Sequence, residues 1–377
     1  MSLLFDIKQI LKMGMQQIVM PAMYKRYAKG EIKEGLVLFC DSHSGHMPFS
    51  MRRIYDEVEK LSQDEQSHIR IEKCITDFSS MGVAGMLRWI NSFMKLYGAA
   101  QYVFLCDNFL PVSSCEKRPE TMVIQLWHSG GMFKKFGYDT EDDIPAIYKG
   151  NVYKNYDLLT VSAPCCEPVL SAAMHLEPGI AQATGVSRTD NYFDEAYNNR
   201  CRTMFESMHP EAKGKKIILW APTFRGNAGN PTLCGLDAIK RAMEQTEDEY
   251  YWLIKLHPHL EGKGMSSNCT MSCEELLCVA DLLITDYSSV LFDYMAYRKP
   301  FVLFAPDFSE FSKTRGFYVD YDSYPTTVVM DEADLPAAIK YEMNHRDVKD
   351  IEECYKYHMA SCDGHATERI LERIGLV

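Results

Sequence analysis

The chain has 377 residues, too many for one ordinary hydrophobic core, so we predict two domains. Hydrophobic residues make up 46% and charged residues 24%, as in globular proteins, and there is no run of about 18 uncharged apolar residues to span a membrane. The net charge of −12 argues against general binding to nucleic acid. The 13 cysteines are odd in number, scattered and without paired CxxC spacing, which predicts free thiols in a reducing cytosol.

The first 30 residues carry a net positive charge, whereas the chain as a whole is acidic. They contain five basic residues against one acidic residue, with methionine and isoleucine side chains between them: Lys8, Lys12, Lys25, Arg26 and Lys29 against Asp6. Such a basic amphipathic segment is typical of contact with an anionic membrane surface. It would equally suit a helix that docks on its own domain and leaves a charged edge in solvent. The sequence leaves both interpretations open.

Short β-rich runs recur along the chain with helical stretches between them. Strands are predicted at 36–40, 102–106, 121–127 and 158–162, and then at 216–220, 251–256, 282–285, 301–304 and 326–330. Helices are predicted at 50–62, 84–97, 165–175, 235–246, 273–280 and 289–297, with two or three more between 332 and 376. Continuous apolar strands that alternate with helices indicate parallel sheets covered on both faces.

The best domain boundary lies in the polar, charged stretch 193–215, which contains no predicted strand. We therefore predict an N-terminal domain at 1–195 and a C-terminal domain at 212–377 that includes the terminal helices. Two doubly wound, Rossmann-like α/β domains that face a cleft form the GT-B architecture of nucleotide-sugar transferases. In such domains ligands bind at the carboxyl ends of the strands.

One predicted strand ends in the segment QLWHSGGMFKKFG (125–137). His128 follows the strand directly, and an imidazole suits general base catalysis at neutral pH. Gly130 and Gly131 would let backbone N–H groups approach an anion, and Lys134 adds positive charge one turn later. A histidine hydrogen-bonded to a backbone carbonyl is the structural alternative. The glycine and lysine neighbours favour the functional interpretation.

Two strands of the second half also end in candidate phosphate ligands. The segment ILWAPTFRGN (218–227) presents Thr223 and Arg225, and the guanidinium fork matches phosphate oxygens. In LIKLHPHL (253–260), His257 and His259 flank a proline. Two histidines two residues apart in extended chain can face one ion, but no third ligand is apparent. Hydrogen bonding to a phosphate is a simpler interpretation, and a His259 side chain that faces solvent is the simplest.

The segment LLITDYSS (282–289) carries the strongest single signal. It ends in Asp286 and the pair Ser288 and Ser289, where a helix is predicted to begin with Asp286 as its cap. The free N–H groups of a helix N-terminus attract phosphates. Ordinary capping with bystander serines is the structural alternative. Asp286 and Asp293 leave a divalent cation possible, although no clear carboxylate pair indicates one.

Together these segments resemble the CDP-glycerol glycerophosphotransferase family, bacterial enzymes of teichoic acid synthesis. The resemblance runs in order from about residue 36 to the end and adds ATGVSRTD (183–190), FDYMAYRKP (292–300), RGFYVDY (315–321) and CDGHATERI (362–370). Many members have Gly-Thr-Pro after the first histidine, where this chain has Ser129-Gly130-Gly131. The resemblance implies a GT-B fold, with His128 as general base and His257 as the second catalytic residue. Donor phosphates would be held by Arg225, His257, Ser288 and Ser289, and Arg188 is retained in the Arg-Thr-Asp motif.

The resemblance further implies an activity and a location. Glycerol phosphate would pass from CDP-glycerol to a hydroxyl of a lipid-linked saccharide or a growing polyol-phosphate chain, releasing CMP. The size of the chain is similar to that of the primases of the family. The donor would bind to the C-terminal domain and the acceptor to the N-terminal one, at the cytoplasmic face of the membrane. The alternatives are a CDP-ribitol-dependent enzyme, a nucleotide-sugar glycosyltransferase of the same architecture, and a non-enzymatic saccharide-binding protein.

Overall fold

The computed structural model of the protein describes residues 3–141, 143–227, 230–257, 260–261 and 266–377. The chain divides into two units, each with its own parallel sheet. The first unit consists of Met1–His128, Phe136–Asp190 and Ser361–Val377, and the second of Ser129–Lys135 and Asn191–Ala360. These units differ from the predicted ranges 1–195 and 212–377, because a short internal segment and the last helix each pack with the other half of the chain.

The sheet of the first unit has six parallel strands in the order β2-β1-β3-β4-β5-β6. They are β1 (Leu36–Asp41), β2 (Arg70–Ile75), β3 (Tyr102–Leu105), β4 (Met122–Gln125), β5 (Leu158–Thr160) and β6 (Ala181–Gln182). The direction in which successive strands are added reverses between β1 and β3. In doubly wound sheets the crevice outside the strand ends at this reversal is where ligands bind.

The helices of the first unit begin with a continuous N-terminal helical segment. Leu3–Gly14 and Met20–Tyr27 are α-helical, and Met15–Val19 between them is a π-helical turn. The α-helices that follow are Phe49–Ser62, Val83–Tyr97, Leu110–Ser113, Cys166–Met174 and Ala366–Arg373. No helix in the described part of the chain combines the length and apolar character needed to cross a bilayer.

The last helix belongs to the first unit because its apolar face completes the core of that unit. Ile370 and Leu371 are buried in the same cluster as Val37 and Phe39 of β1. The carboxylate of Asp190 accepts hydrogen bonds from the N–H groups of Ala366 (3.0 Å) and Thr367 (2.7 Å), the first two residues of this helix. This contact satisfies N–H groups that a helix leaves without internal partners.

The second unit repeats the same topology. Its main sheet has five parallel strands in the order β10-β7-β11-β12-β13, so the reversal lies between β7 and β11. A separate antiparallel pair joins β8 and β9. The strands are β7 (Lys216–Trp220), β8 (Arg225–Asn227), β9 (Asn230–Thr232), β10 (Tyr250–Ile254), β11 (Leu282–Thr285), β12 (Phe301–Phe304) and β13 (Val328–Val329).

The α-helices of the second unit cover this sheet and include one in the stretch predicted as a boundary. Asp194 accepts hydrogen bonds from the N–H groups of Ala196 and Tyr197 and so caps the helix Glu195–Met208. That helix buries Tyr197, Cys201 and Phe205 at four-residue spacing. The remaining helices are Leu236–Thr246, Cys273–Leu276, Val290–Met295, Phe308–Thr314, Leu335–His345 and Val348–Met359.

The prediction of α/β architecture with parallel sheets is confirmed, and each predicted strand is present. The strands that the sequence did not indicate lie at sheet edges or outside the main sheets. β2 is an edge strand with mostly partly exposed or exposed side chains, and β6 has two residues. Edge strands bury less apolar surface, so their sequences carry a weaker periodic signal. All 13 cysteines are unbridged.

Candidate functional site

His128 follows β4 at the carboxyl edge of the first sheet, after a strained turn. Trp127 has a φ of 58°, a left-handed conformation that costs a non-glycine residue on the order of 1–3 kcal/mol. Its ring is buried, and its centroid lies 4.4 Å from that of His128 and 5.4 Å from that of Phe136. The Trp127 N–H donates to the Gln125 side chain at 3.1 Å. Packing on both sides therefore sustains a turn that presents the histidine.

The orientation of the His128 ring is set by one hydrogen bond. Its Nδ1 lies 3.0 Å from the carbonyl oxygen of Cys106, which follows the neighbouring strand β3. A carbonyl can only accept, so Nδ1 carries the proton, and in the neutral ring Nε2 has a free lone pair. The ring itself is exposed. The carbonyl contact that the sequence offered as a structural alternative is therefore present, and the role of Nε2 as a base stays a prediction.

Arg188 lies near the same edge of the first unit. Its side chain is buried, and its charge reaches Cys106. Burial and the nearby acidic groups Asp41 and Asp107 raise the pKa of the Cys106 thiol well above its ordinary value, and the Arg188 charge partly opposes this. Arg188 is therefore close to Cys106, and its role toward a ligand stays a prediction.

Gly130, Gly131 and Lys134 belong to the second unit, although they follow His128 in sequence. A Cβ at Gly130 would overlap the sulfur of Met359, and one at Gly131 would overlap the ring of Phe292. Gly131 also has a φ of +63°. Lys134 forms an isolated antiparallel bridge with Phe317. Close packing explains both glycines, while contact of this segment with an anion stays a prediction.

A guanidinium between two carboxylates lies at the reversal of the second sheet. Arg225, five residues past β7, pairs through Nη1 with Asp286 Oδ2 at 2.9 Å. Its Nε and Nη2 donate to the two carboxylate oxygens of Asp307, which follows β12, at 2.5 and 3.0 Å. Tyr287 also donates to Asp307 at 2.9 Å, and the guanidinium lies over the Tyr287 ring at 4.7 Å. Three neighbouring strands thus direct their polar residues to one place.

The electrostatics of this cluster favour its charged state. Burial raises the pKa of Asp307, but the hydrogen bonds and charge of Arg225 outweigh it and hold that pKa below its ordinary value. Burial likewise opposes the charge of Arg225, and the two carboxylates raise its pKa nonetheless. The cluster of one cation and two anions carries a net negative charge. Four of the five N–H groups of Arg225 donate hydrogen bonds, one of them to the Thr223 carbonyl at 2.7 Å.

Thr223 and Asp286 are joined directly, which corrects one predicted role. The Asp286 carboxylate accepts hydrogen bonds from the N–H groups of Thr223 at 2.9 Å and Tyr287 at 2.6 Å. The helix itself begins at Val290, and Ser289 precedes it without a capping side-chain bond. The prediction that Asp286 caps this helix is therefore wrong, because its carboxylate is used across the sheet edge. The hydroxyl of Thr223 is buried and has no hydrogen-bond partner among the described residues.

The remaining predicted residues of the second unit lie around this edge. Ser288 accepts a long hydrogen bond of 3.4 Å from the Val290 N–H, and both serines are partly exposed. Asp293 is buried within the short helix. His257, three residues past β10, is exposed, and its ring centroid lies 4.7 Å from that of Phe224. His259 lies outside the described residues.

Sequence reasoning missed Asp307 and Tyr287. The signal for Asp307 was available, because FVLFAPD (301–307) is another apolar strand followed by a polar residue. Its pairing with Arg225 was not readable, since the two residues are 82 positions apart. Within the described residues no group of three or more His, Cys, Asp or Glu side chains is arranged to hold a metal ion.

Comparison with known proteins adds independent findings. The family described as CDP-glycerol:poly(glycerophosphate) glycerophosphotransferase matches residues 22–376. The chain is 29% identical over 367 residues to a teichoic acid ribitol-phosphate primase of Bacillus spizizenii, covering 91% of each sequence. It is 30% identical over 293 residues to a teichoic acid glycerol-phosphate primase of Bacillus subtilis, covering 72% of this chain and 73% of that protein. The solved structure of the wall teichoic acid polymerase TagF has a similar fold, with a TM-score of 0.69 over 100% of this chain and 98% of that chain at 18% identity.

Proposed function

The chain belongs to the CDP-glycerol:poly(glycerophosphate) glycerophosphotransferase family, and from this membership we propose that it transfers a polyol phosphate from a CDP-polyol to an acceptor hydroxyl, releasing CMP. The acceptor is a lipid-linked saccharide or a growing polyol-phosphate chain. The similarity to primases over most of their length supports addition to a saccharide. CDP-glycerol is the donor proposed first, as in the family description. CDP-ribitol is the second candidate, favoured by the ribitol-phosphate primase that matches over 91% of this chain.

The observation that carries the proposed chemistry is the hydrogen bond from His128 Nδ1 to the Cys106 carbonyl. It leaves Nε2 unprotonated in the neutral ring and able to take a proton from the acceptor hydroxyl. The acceptor oxygen then forms a bond to the β-phosphorus of the donor. The bond from that phosphorus to the bridging oxygen breaks, and CMP leaves with the electron pair. A transfer of this kind depends chiefly on positioning and on stabilising charge.

The proposed donor ligands lie at the strand ends of the second unit. Arg225, Ser288, Ser289 and His257 would hydrogen-bond the pyrophosphate and so stabilise charge on the leaving CMP. Because Asp286 and Asp307 already engage most of the guanidinium, donor phosphates would replace one of these carboxylates at Arg225. The paired carboxylates keep the guanidinium positioned until the donor arrives.

The proposed location is the cytoplasmic face of the membrane, through the N-terminal helical segment. One side of this segment docks on its own unit. Tyr24 is buried with its ring centroid 4.9 Å from that of Tyr97. The other side exposes Ile10, Leu11 and Ile18 by 56–69%. An exposed apolar strip beside basic residues is the expected arrangement for peripheral attachment to anionic lipid.

A product assay tests the function. The purified protein is incubated with a synthetic lipid disaccharide and, in separate reactions, CDP-glycerol, CDP-ribitol or UDP-N-acetylglucosamine. We expect CMP and an acceptor heavier by one polyol-phosphate unit with one of the CDP donors. Release of UDP with a gain of one sugar would identify a glycosyltransferase instead. Binding of the saccharide without any product would favour the non-enzymatic alternative.

A further inference from the structure

A pocket of about 360 Å³ lies in the first unit between the N-terminal helical segment, the helix Leu110–Ser113 and the loop at 150–154. We call it the N-terminal pocket. Its size is at the lower end of that of small-molecule sites in proteins. The residues that line it include amides, hydroxyls and a glycine, namely Gln16, Gln17, Ser113, Ser114, Gly150 and Asn151.

Two buried polar atoms beside this pocket lack hydrogen-bond partners among the described residues. Gln16 is 4% exposed, and its Nε2 donates to the Asn151 carbonyl at 3.2 Å, while its Oε1 accepts no hydrogen bond from the part of the chain that the structure describes. The Tyr148 hydroxyl is buried in the same way. Native proteins rarely leave such groups unsatisfied, because each one costs the desolvation of a polar atom. Gln16 lines the pocket and Tyr148 lies behind that lining, so the unpartnered Gln16 oxygen points to a ligand with hydroxyl groups or to bound water.

The two unpartnered oxygens pack closely against Gly150. A Cβ on Gly150 would lie 2.7 Å from the Tyr148 hydroxyl and 2.9 Å from Gln16 Oε1, so both atoms lie beside the glycine. Gln16 itself is on the π-helical turn Met15–Val19. Single π-helical turns in longer helices occur frequently at functional sites. In this protein the π-helical turn contains Gln16, the residue with the unpartnered oxygen.

The charge around the pocket is nearly balanced. Lys154 donates to Glu116, and both residues line the pocket together with Lys25. Amide and hydroxyl groups, which donate and accept equally well, make up most of the polar lining. Such a surface suits a neutral polyhydroxyl group better than a strongly charged one.

We propose that the N-terminal pocket binds the saccharide part of the membrane-bound acceptor, and this assignment rests on the proposed function. The N-terminal helical segment exposes Ile10, Leu11 and Ile18. The same segment contributes Gln16 and Gln17 to the lining of the pocket. A lipid surface and the sugar attached to a lipid would thus be recognised by one segment. The pocket sets acceptor affinity and takes no part in the chemical step.

Direct binding tests the assignment. Saturation-transfer NMR measures binding of N-acetylglucosamine as the neutral probe and inorganic phosphate as the anionic probe. The variants are Gln16→Leu, which removes the amide, and Gly150→Ala, which crowds Gln16 and Tyr148. Gly85→Ala is the matched control, because nothing lies within 4 Å of a Cβ at that position. Melting curves establish that each variant is folded.

We expect the wild type and Gly85→Ala to bind the sugar, and both pocket variants to bind it about tenfold more weakly, as for loss of one buried hydrogen bond. The KM for the lipid disaccharide should rise by a similar factor while kcat and the KM for the donor stay unchanged. Equal sugar binding by all four folded proteins would overturn the proposal. So would binding of phosphate but not of the sugar. A wild type that binds the sugar in this pocket yet transfers nothing would overturn the proposed function alone.

Discussion

His128 combines strain and a fixed ring orientation, a combination typical of residues with a chemical role. The left-handed Trp127 before it and the Cys106 carbonyl contact are both maintained by the packed end of the first sheet. Neither feature is needed to build a strand end. A strained backbone conformation persists only where the surrounding packing and hydrogen bonds hold it in place. Residues of this kind are concentrated at functional sites.

Replacing His128 tests its role as base. His128→Ala should lower kcat by about two to four orders of magnitude, the usual contribution of a general base, with donor affinity little changed. His345→Ala, which alters an exposed histidine in the second unit, is the matched control and should leave turnover at the wild-type level. Near-normal turnover of pure, folded His128→Ala protein would exclude the base assignment.

Arg225 is expected to serve both folding and donor binding. Arg225→Ala leaves the buried Asp286 without its cation, so the free energy of unfolding should fall by about 3 kcal/mol. Arg225→Lys keeps the charge and should recover much of that stability. Both variants should bind CDP-glycerol about 10- to 100-fold more weakly, because a lysine lacks the planar fork.

Calorimetry of donor binding and chemical denaturation separate the two roles of Arg225. Asp307→Asn is the control, since it weakens the carboxylate pair without removing the guanidinium. If Arg225→Lys is stable and binds the donor with unchanged affinity, Arg225 has a structural role only.

His358 predicts a pH dependence of stability. Burial lowers the pKa of this histidine from its ordinary value near 6.5 to about 4. Between these values the unfolded chain binds a proton that the folded chain does not, so stability is lost as the pH falls below 6.5. The loss attributable to His358 should reach about 2 kcal/mol at pH 5.

Denaturation of wild type and His358→Gln at pH 7 and pH 5 measures this contribution. The variant should be less stable at pH 7 but should lose less stability on acidification. His345→Gln, at an exposed position, serves as the control and should follow the wild type. Parallel pH profiles for wild type and His358→Gln would show that the buried ring does not control the acid response.

At the scale of the element, the structure confirms that the N-terminal segment docks on its own domain, while its contact with a membrane surface stays a prediction. Its Tyr24 side docks on the first unit, while Lys25, Arg26 and Lys29 remain exposed. The two interpretations are compatible because one side of a helix can pack on its own domain while the other side stays exposed. An amphipathic pattern shows only that the two sides differ in polarity.

Replacing the basic residues tests attachment to membranes. Lys25→Gln, Arg26→Gln and Lys29→Gln together should reduce binding to anionic vesicles by up to about 3 kcal/mol at low salt, about 1 kcal/mol for each basic residue. The melting temperature should not change, because all three side chains are exposed. The matched control replaces Lys213, Lys240 and Lys340, exposed lysines of the second unit, with glutamine. Co-sedimentation with anionic vesicles at two salt concentrations measures the binding of each protein. Binding by the first triple variant at the wild-type level would refute electrostatic attachment.

At the scale of the whole molecule, the chain crosses between units more than once. Ser129–Lys135 leaves the first unit for the second, and Ser361–Val377 returns to the first. The return is held by Asp190, whose carboxylate caps the last helix. The Arg-Thr-Asp motif therefore includes a residue whose role in the structure is to close the first unit.

Two capping aspartates allow this organisation to be tested. Asp190→Ala should destabilise the first unit by about 1–2 kcal/mol, the usual effect of losing a cap, and Asp194→Ala should do the same to the second. Hydrogen exchange should show faster opening of β1 and β3 in the first variant and of β7 and β11 in the second. If either substitution reduces protection from hydrogen exchange equally in both units, the two units unfold together as one.

The sequence alone determined the features that depend on local pattern. Continuous apolar runs located each strand buried on both faces, and the polar residues after those runs gave His128, Arg225 and Asp286 as candidates. The ordered motifs gave the family, which is confirmed. These signals are readable because burial on both faces of a parallel sheet requires contiguous apolar residues, and a strand end must then turn polar.

Only the tertiary structure decided which distant groups meet. It paired Arg225 with Asp307, bound His128 to the Cys106 carbonyl, placed the last helix in the first unit, and moved Asp286 from a helix cap to a contact with Thr223. Edge strands such as β2 and the unpartnered Gln16 oxygen were equally invisible in the sequence. Each of these features depends on contacts between residues far apart in the chain. Local periodicity records whether a side chain is buried, but not what it is buried against.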